Sequence, residues 1–195
     1  MSKNKATRTE FIDLTNQATV LESCRNYIGN RYSSYEFRSI RYEAVFETLR
    51  MLGCRPFHSI LDVGGADGEF GRYLKEQGHH GDYQVVDGML DGTDLNNWHP
   101  HRVADFAVSI EVIEHLKEPR RFLRALDAAA GHGVVLTTPN PHVTDVKAMD
   151  ATHISEVFPK DFYSEGYRVY PQILFFENGD SLLGVKDKRK ALTSS

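Results

Sequence analysis

The sequence predicts an α/β fold built on a doubly wound, mostly parallel sheet that ends in an antiparallel hairpin. Two observations carry this prediction. Short apolar runs alternate with segments whose apolar residues recur at helical spacing, which is the pattern of repeated strand-helix-strand units. Near the end of the chain, Asn178-Gly179 separates two strand-like runs, and this dipeptide is a strong signal for a hairpin turn.

Length and composition restrict the class of protein. The chain has 195 residues, which is enough for one domain with a substantial core. A hydrophobic content of 41% and a charged content of 26% are ordinary for a globular protein. The formal net charge of −4 gives no overall basic field that would attract nucleic acid non-specifically. Cys24 and Cys54 form no C-x-x-C pair, so a disulfide framework is not expected.

Hydropathy predicts where the protein resides. No apolar run reaches the length of a membrane span. Lys3, Lys5 and Arg8 near the start are not followed by the apolar segment of a secretory signal. We therefore expect a cytoplasmic protein that contacts no membrane.

The first quarter of the chain predicts helices that precede the sheet. Apolar residues recur at helical spacing from Val20 to Ile28 and again from Tyr42 to Leu52, and Gly53 ends the second segment. We assign residues 1–54 to an N-terminal arm and helices that help to form the substrate region. Residues 55–190 then form the domain that contains the sheet.

The first strand and its helix are joined by a glycine turn. Ile60–Val63 has the length of a buried strand, Gly64–Gly68 follows, and a helical pattern begins at Phe70. Glycines allow a ligand to approach the backbone, and the helix start offers unpaired N–H donors. The turn reads D-x-G-x-A-x-G from Asp62, which is not the G-x-G-x-x-G pattern of dinucleotide sites. The carboxylate before the turn favours a ligand with a positive end, such as an amino acid or a sulfonium.

The second strand, residues 83–86, is followed by an acid. Asp87 lies 19 residues after Gly68 (87 − 68), where a doubly wound sheet places the carboxylate that binds ribose hydroxyls. The alternative is a solvated aspartate at a strand end. Only six residues separate Asp87 from Asp94, and a crossover connection needs roughly a dozen. We therefore predict that one crossover helix has been trimmed to a loop.

The rest of the chain predicts two more parallel strands with a helix between them, a long polar loop, a short helix and the hairpin. The loop is longer than an ordinary connection, so we expect it to bind a ligand or to cover one. These segments are, in order, residues 104–112, 119–131, 133–138, 142–156, 159–165, 167–177 and 181–185.

Five successive motifs resemble those of class I S-adenosylmethionine-dependent methyltransferases of types 11 and 23. They are Asp62–Gly68, Asp87, Asp94–Leu95, Ala104–Leu116 and Thr137–Asn140. The resemblance extends over roughly residues 55 to 188. It implies a Rossmann-like domain that binds S-adenosyl-L-methionine.

The resemblance also implies a role for each motif. The glycine turn would approach the methionine part of the cofactor, Asp87 would bind the ribose hydroxyls, and Asp94 with Leu95 would face the adenine. Residues 109–111 would lie near the methionine. The implied cofactor-binding residues are Asp62, Gly64, Gly65, Ala66, Gly68, Asp87, Asp94, Leu95 and Glu111.

Two carboxylates and two imidazoles carry the candidate chemistry. Glu111, Glu114 and His115 form an E-x-x-E-H pattern at a strand end, where α/β sheets place ligands, and His153 lies in the later polar loop. His153, Glu114 and His115 are candidates for the general base that a hydroxyl acceptor needs. All four residues suit Mg²⁺, Mn²⁺ or Zn²⁺ in an open site. The alternative is that the acids cap the next helix and a histidine packs beneath the cofactor.

The same E-x-x-E-H pattern with a later histidine resembles two metal-assisted groups. These are the small-RNA 3′-terminal 2′-O-methyltransferases and the ubiquinone-pathway O-methyltransferases. The sequence favours a methyltransferase that acts on an oxygen or nitrogen of a small-molecule acceptor. The alternatives are a metal-assisted RNA 2′-O-methyltransferase and a non-catalytic subunit that binds S-adenosylmethionine. The glycine spacing disfavours a nicotinamide oxidoreductase.

Overall fold

The computed structural model describes residues 35–172 and 179–189, which form a six-stranded sheet with helices on both faces. The helices are α1 (Tyr35–Met51), α2 (Glu69–Glu76), α3 (Gly88–Asp91), α4 (Pro119–Ala129), α5 (Val146–Met149) and α6 (Pro159–Ser164), and a 3₁₀ turn spans Ile113–His115. The strands are β1 (Ile60–Val63), β2 (Tyr83–Val86), β3 (Ala104–Ile110), β4 (Ala130–Pro139), β5 (Arg168–Gln172) and β6 (Ser181–Asp187).

The strand order confirms the predicted fold class. The strands lie in the order β2-β1-β3-β4-β6-β5, and the first four are parallel. β6 runs antiparallel to both β4 and β5, so the sheet ends in the antiparallel pair that the sequence predicts. The helix expected over residues 20–28 and the hairpin residue Asn178 lie outside the described residues. No helix in the described ranges is long and apolar enough to cross a membrane.

The core consists of two layers because successive residues of a strand point to opposite faces of the sheet. One layer lies beneath α1 and α2, and the other beneath α4 and α6. The first layer includes Val45, Leu49, Phe70, Leu74, Phe106, Val108 and Val135. The second includes Ala107, Leu123, Leu126, Val134, Leu136 and Phe162.

Helix α1 begins at the edge of the sheet where the parallel strands end. Tyr42, near its middle, packs on Phe70 of α2 with ring centroids 5.5 Å apart. Leu52, just past its end, lies close to Gly133 near the beginning of β4. Gly53 then has a φ of 78°, the left-handed conformation that commonly ends a helix. The helix begins at Tyr35, which is earlier than its predicted apolar face, so its first turns lie at the edge where the parallel strands end.

The trimmed crossover leaves β2 at the edge of the sheet. In its place is one helical turn, α3, followed by a loop that is fastened to α4. The Lys117 N–H donates to Asn96 Oδ1 at 2.8 Å, and Arg121 donates to the Asn96 carbonyl. Trp98 packs beside Phe122 of α4, with ring centroids 6.3 Å apart. The loop therefore rests against the fold although it lacks a full helix.

We expect Phe106→Ala to lower the free energy of unfolding by about 3–5 kcal/mol, because Phe106 is fully buried in the central strand and its loss leaves a cavity. Urea unfolding followed by circular dichroism measures this change. Met51→Ala is the control, since Met51 is 76% exposed and should change the free energy by less than about 0.5 kcal/mol. Equal effects of the two substitutions would contradict the packing described for β3.

Candidate functional site

The glycine turn between β1 and α2 has a backbone that few residues other than glycine can adopt. Gly64, Ala66 and Gly68 have φ values of 84°, 45° and 75°, all in the left-handed region. A Cβ at Gly64 would collide with the side chain of Val112, and one at Gly65 would collide with the carboxylate of Asp62. The turn is therefore packed tightly from below by the strand ends on which it stands.

Asp62 lies directly beneath the turn. Its side chain is 1% exposed, and Oδ2 accepts a short hydrogen bond from the hydroxyl of Tyr83. Among the described residues, its other oxygen has no hydrogen-bond partner. Burial raises the pKa of Asp62 to about 7; the bond from Tyr83 opposes this rise and the charge of Asp87 adds to it. The site thus contains a buried carboxylate with an open acceptor.

Asp87 connects the end of β2 to the turn. Its carboxylate is almost fully buried, and Oδ2 accepts a hydrogen bond of 2.9 Å from the N–H of Ala66. The two predicted adenine residues lie further along the chain. The Asp94 carboxylate accepts bonds from the Asn96 N–H at 3.0 Å and from Asn97 Nδ2 at 2.7 Å, so it closes its own turn at the surface. Leu95 packs against the core.

Glu111 follows β3 in a strained conformation. Its φ of 56° is unusual for a residue that is not glycine, and such strain is found preferentially at functional sites. Both of its carboxylate oxygens are buried and lack a hydrogen-bond partner within the part of the chain that the structure describes. Burial raises the pKa of Glu111, while the nearby charge of Arg41 lowers it. One residue before β3 ends, the Ser109 hydroxyl donates to the Val63 carbonyl at 2.8 Å and joins β3 to β1.

Glu114, His115 and His153 lie together, as the sequence predicts for a metal or proton-transfer site. Each offers a ligand atom, and these atoms all lie within 4.8 Å of one another. Glu114 Oε2 accepts from the Thr138 hydroxyl at 3.0 Å, and Oε1 lies 4.0 Å from His153 Nε2. Glu111, the fourth predicted ligand, is outside this group. Burial and the charge of Glu111 raise the pKa of Glu114 well above its usual range.

Both histidines have one ring nitrogen fixed by a backbone carbonyl. His153 Nδ1 lies 2.6 Å from the Val146 carbonyl, and His115 Nδ1 lies 3.2 Å from the Thr152 carbonyl. A carbonyl oxygen can only accept, and the Thr152 hydroxyl, 3.0 Å from His115 Nδ1, already donates to Asp150 Oδ1. Nδ1 of each histidine therefore carries the hydrogen, and Nε2 is left as the acceptor or metal ligand. Burial, followed by the charge of His153, lowers the pKa of His115 and keeps its imidazole neutral near pH 7.

The structure brings two further residues to the candidate site that pattern reading missed, Arg41 and Tyr83. Arg41 of α1 is 3% exposed, and its charge lowers the pKa of both Glu111 and Glu114. The sequence offered one signal for Arg41. It lies four residues before Val45, so helical spacing places it on the otherwise apolar face that packs on the sheet. Tyr83 carried no signal, because its partner Asp62 is on another strand.

Comparison with known proteins agrees with this geometry. The family described as a methyltransferase domain matches residues 36–175. The plantazolicin methyltransferase BpumL, solved with a triazolic desmethylPZN analog and SAH, has a TM-score of 0.59 and 14% identity; the match covers 84% of this chain and 89% of that one. A SAM-dependent methyltransferase from Archaeoglobus fulgidus has a TM-score of 0.53 and 19% identity, covering 80% and 100% of the two chains.

A third similar structure is the complex between the Haloferax volcanii Trm112 methyltransferase activator and a methyltransferase. Its matching chain has a TM-score of 0.51 and 12% identity, and the match covers 78% of this chain and 95% of that one. At these identities the likeness shows the shared fold. No curated protein sequence matches the chain.

We expect the stability of the protein to fall as the pH rises from about 4 to about 7, because folded Asp62 retains a proton that the unfolded chain releases. One such proton gives a slope of at most about 1.4 kcal/mol per pH unit. Asp62→Asn should remove this part of the slope, as measured by urea unfolding at pH 5 and pH 7.

The control for this measurement is Asp67→Asn. Asp67 is exposed and paired with Arg72, which lowers the pKa of its carboxyl. This variant should keep the pH dependence of the wild type over the same range. If Asp62→Asn also kept it, the carboxylate would not be buried in its protonated form.

Proposed function

Because the chain belongs to the family of methyltransferase domains, as its motifs predict, we propose that it transfers a methyl group from S-adenosyl-L-methionine to a small-molecule acceptor. The acceptor atom is an oxygen or a nitrogen. One observation carries the proposal. The strained glycine turn, with Asp62 beneath it, and the buried Asp87 carboxylate meet at the edge where the parallel strands end.

The residues present fit S-adenosylmethionine. The cofactor carries a positive sulfonium and a positive ammonium, and the edge contains buried carboxylates with open acceptors at Asp62 and Glu111. Asp87 lies at the position suited to ribose hydroxyls, and the backbone of Gly64–Gly68 allows close approach. Asp94 and Leu95 are assigned to the adenine side. Bound SAH in the plantazolicin methyltransferase supports this cofactor.

When bound, the cofactor supplies an activated methyl group, and the protein has to align the acceptor in line with it. A hydroxyl acceptor must also lose a proton, for which we assign His115, with Glu114 and His153 behind it. His115 is half-buried and neutral, and its Nδ1 is held by Thr152, so Nε2 is available to accept the proton. Glu114 and His153 are buried behind that imidazole, and the His153 ring packs against it with centroids 4.7 Å apart.

A small acceptor fits the electrostatics better than RNA. RNA binding needs cations that are available for phosphates. Near the site, however, Arg38 is paired with Glu69 and Arg72 with Asp67. The likeness to a methyltransferase solved with a triazolic desmethylPZN analog also supports a compact acceptor. RNA 2′-O-methylation remains the alternative that the E-x-x-E-H pattern suggests.

A metal-assisted reaction is the second candidate, and the grouping of Glu114, His115 and His153 favours it. One carboxylate and two imidazoles suit Mn²⁺ or Zn²⁺, while Mg²⁺ prefers oxygen. The unpartnered Glu114 Oε1 and the Nε2 acceptors of the histidines would hold the ion. A bound ion lowers the pKa of an acceptor hydroxyl, which would replace a general base. Glu111 lies outside this group, so its side chain would have to move before it could bind the same ion.

We further propose that residues 1–54 select the acceptor while residues 55–190 bind the cofactor. Support comes from α1, which begins at the ligand-binding edge and delivers Arg41 there. A non-catalytic role in a complex is the remaining alternative. The similar chain that was solved with an activator subunit motivates it.

We expect Asp87→Ala to weaken binding of S-adenosylmethionine by about 2–3 kcal/mol, since it removes charge-assisted hydrogen bonds. Isothermal titration calorimetry measures this loss. Asp82→Ala is the matched control, because Asp82 is exposed and precedes the opposite end of the same strand. Unchanged affinity in Asp87→Ala would exclude its role at the ribose. Tight binding without turnover of any acceptor would favour the non-catalytic alternative.

We expect protein treated with EDTA to bind one Mn²⁺ ion, and His115→Ala to lose that ion because a ligand is removed. Electron paramagnetic resonance of free Mn²⁺ during a titration measures the binding. His142→Ala is the control, since His142 is exposed and its ring packs on Phe158. If the wild type bound neither Mn²⁺ nor Zn²⁺, the metal would be excluded and His115 would remain as the base.

A further inference from the structure

The first residue of α2 connects the glycine turn to α1. Glu69 follows Gly68 directly, and its side chain is 12% exposed. Arg38 donates to both of its oxygens, from Nε at 2.5 Å and from Nη2 at 2.8 Å. The hydroxyl of Tyr42 donates to the same carboxylate at 2.8 Å. Arg38 and Tyr42, one helical turn apart on α1, thus both donate to one carboxylate that lies next to the glycine turn.

This contact is stronger than an ordinary surface ion pair. The Arg38 pair is bidentate, and the Glu69 carboxylate is largely removed from solvent. The pair with Arg38 lowers the pKa of Glu69. Burial and the bond to Glu69 raise the pKa of Tyr42, so its hydroxyl remains a donor. All three groups therefore hold their bonding state across the physiological range.

Aromatic packing extends the contact along both helices. The Tyr42 ring lies 5.5 Å from Phe70 and 5.9 Å from Tyr73 between centroids. Phe46, one turn further along α1, lies 6.1 Å from Tyr73. The Glu69 carboxylate joins this aromatic contact at the end adjacent to the turn, and Arg72 Nη2 of α2 lies 3.7 Å from its Oε1.

We propose that Glu69 is a positioning residue for the cofactor: together with Arg38 and Tyr42 it locks α1 onto the glycine turn and slows cofactor release. The proposal rests on the proposed function, since it takes the turn to be the site of S-adenosylmethionine. No atom of Glu69 has to touch the cofactor. It acts through the backbone of Gly68, to which it is directly joined, and through the position of α1 over the edge.

The contact of Glu69 with Arg38 and Tyr42 also sets the position of Arg41, the charged residue that α1 brings to the site. Arg41 lies between Arg38 and Tyr42 in sequence, and its guanidinium is near the buried Glu111 and Glu114 carboxylates. A shift of α1 away from α2 would move this charge. Loss of the bonds to Glu69 should therefore loosen the glycine turn. It should also weaken the interaction of Arg41 with the buried carboxylates.

The test is the dissociation rate of SAH measured by stopped-flow fluorescence or surface plasmon resonance on the full chain. Glu69→Gln keeps the shape of the side chain and removes its charge. We expect it to raise the dissociation rate and the Kd roughly tenfold, with little change in the association rate. Tyr42→Phe, which keeps the ion pair and the ring packing, should give a smaller change in the same direction.

Charge reversal separates positioning from general stability. Arg38→Glu alone should release SAH faster, and adding Glu69→Arg to it should restore most of the affinity, even if the melting temperature stays lower. Glu47→Gln is the matched control on the same helix, because Glu47 is exposed, its pair is with Arg50 of the same helix, and its loss should leave SAH binding unchanged.

Three results are decisive. Wild-type affinity in Glu69→Gln, or a reversed pair that does not recover binding, would overturn the proposal. A lower melting temperature with unchanged SAH kinetics would also overturn it, since the pair would then be merely structural. If the wild type itself bound neither SAH nor S-adenosylmethionine, the proposed function would fail instead, and the two failures are thereby distinguished.

Discussion

The arrangement of the candidate site depends on one buried interaction, the contact of the Asp62 carboxylate with the underside of the glycine turn. The carboxylate occupies the space where a Cβ of residue 65 would lie, and the Tyr83 hydroxyl holds it there. Asp87 then accepts the N–H of Ala66 and holds the turn from the neighbouring strand. The shape of the turn is thus set by acids below it, which is why a cation-bearing ligand suits the space above it.

Burying several carboxylates at one edge is unfavourable unless protons or positive charge accompany them. Asp62 responds by keeping its proton to near neutral pH, and burial together with the charge of Glu111 raises the pKa of Glu114 well above its usual range. Arg41 of α1 opposes the rise in the pKa of Glu111 and of Glu114. A cofactor with a sulfonium and an ammonium would add positive charge to the same region. The burial of these carboxylates is unfavourable without nearby positive charge, and the same carboxylates would attract a cofactor that carries such charge.

Local features of the site were predictable from sequence, and contacts between distant residues were not. The glycine turn, Asp87 and the E-x-x-E-H pattern each occupy a few consecutive positions, and the parallel order of the strands brings them to one edge. Arg38 and Glu69 are 31 residues apart, and their meeting depends on how α1 docks on α2. The spacing of apolar residues along either helix does not predict how the two helices dock. Arg41 was hidden for the same reason, because its acidic neighbours, Glu111 and Glu114, lie in the segment that follows β3.

Asp94 shows how spacing and local chemistry interact. The family resemblance implied an adenine-side role for this acid, yet it precedes Asn96 and Asn97, and its carboxylate accepts N–H bonds from both in a turn. That turn has a structural purpose, since Asn96 is also the residue to which Lys117 and Arg121 are bonded. The acid thus shapes the loop that replaces the crossover helix and keeps it against α4. Leu95 lies next to these bonds and packs against the core, so the loop keeps its place although β2 is the outermost strand of the sheet that the structure describes.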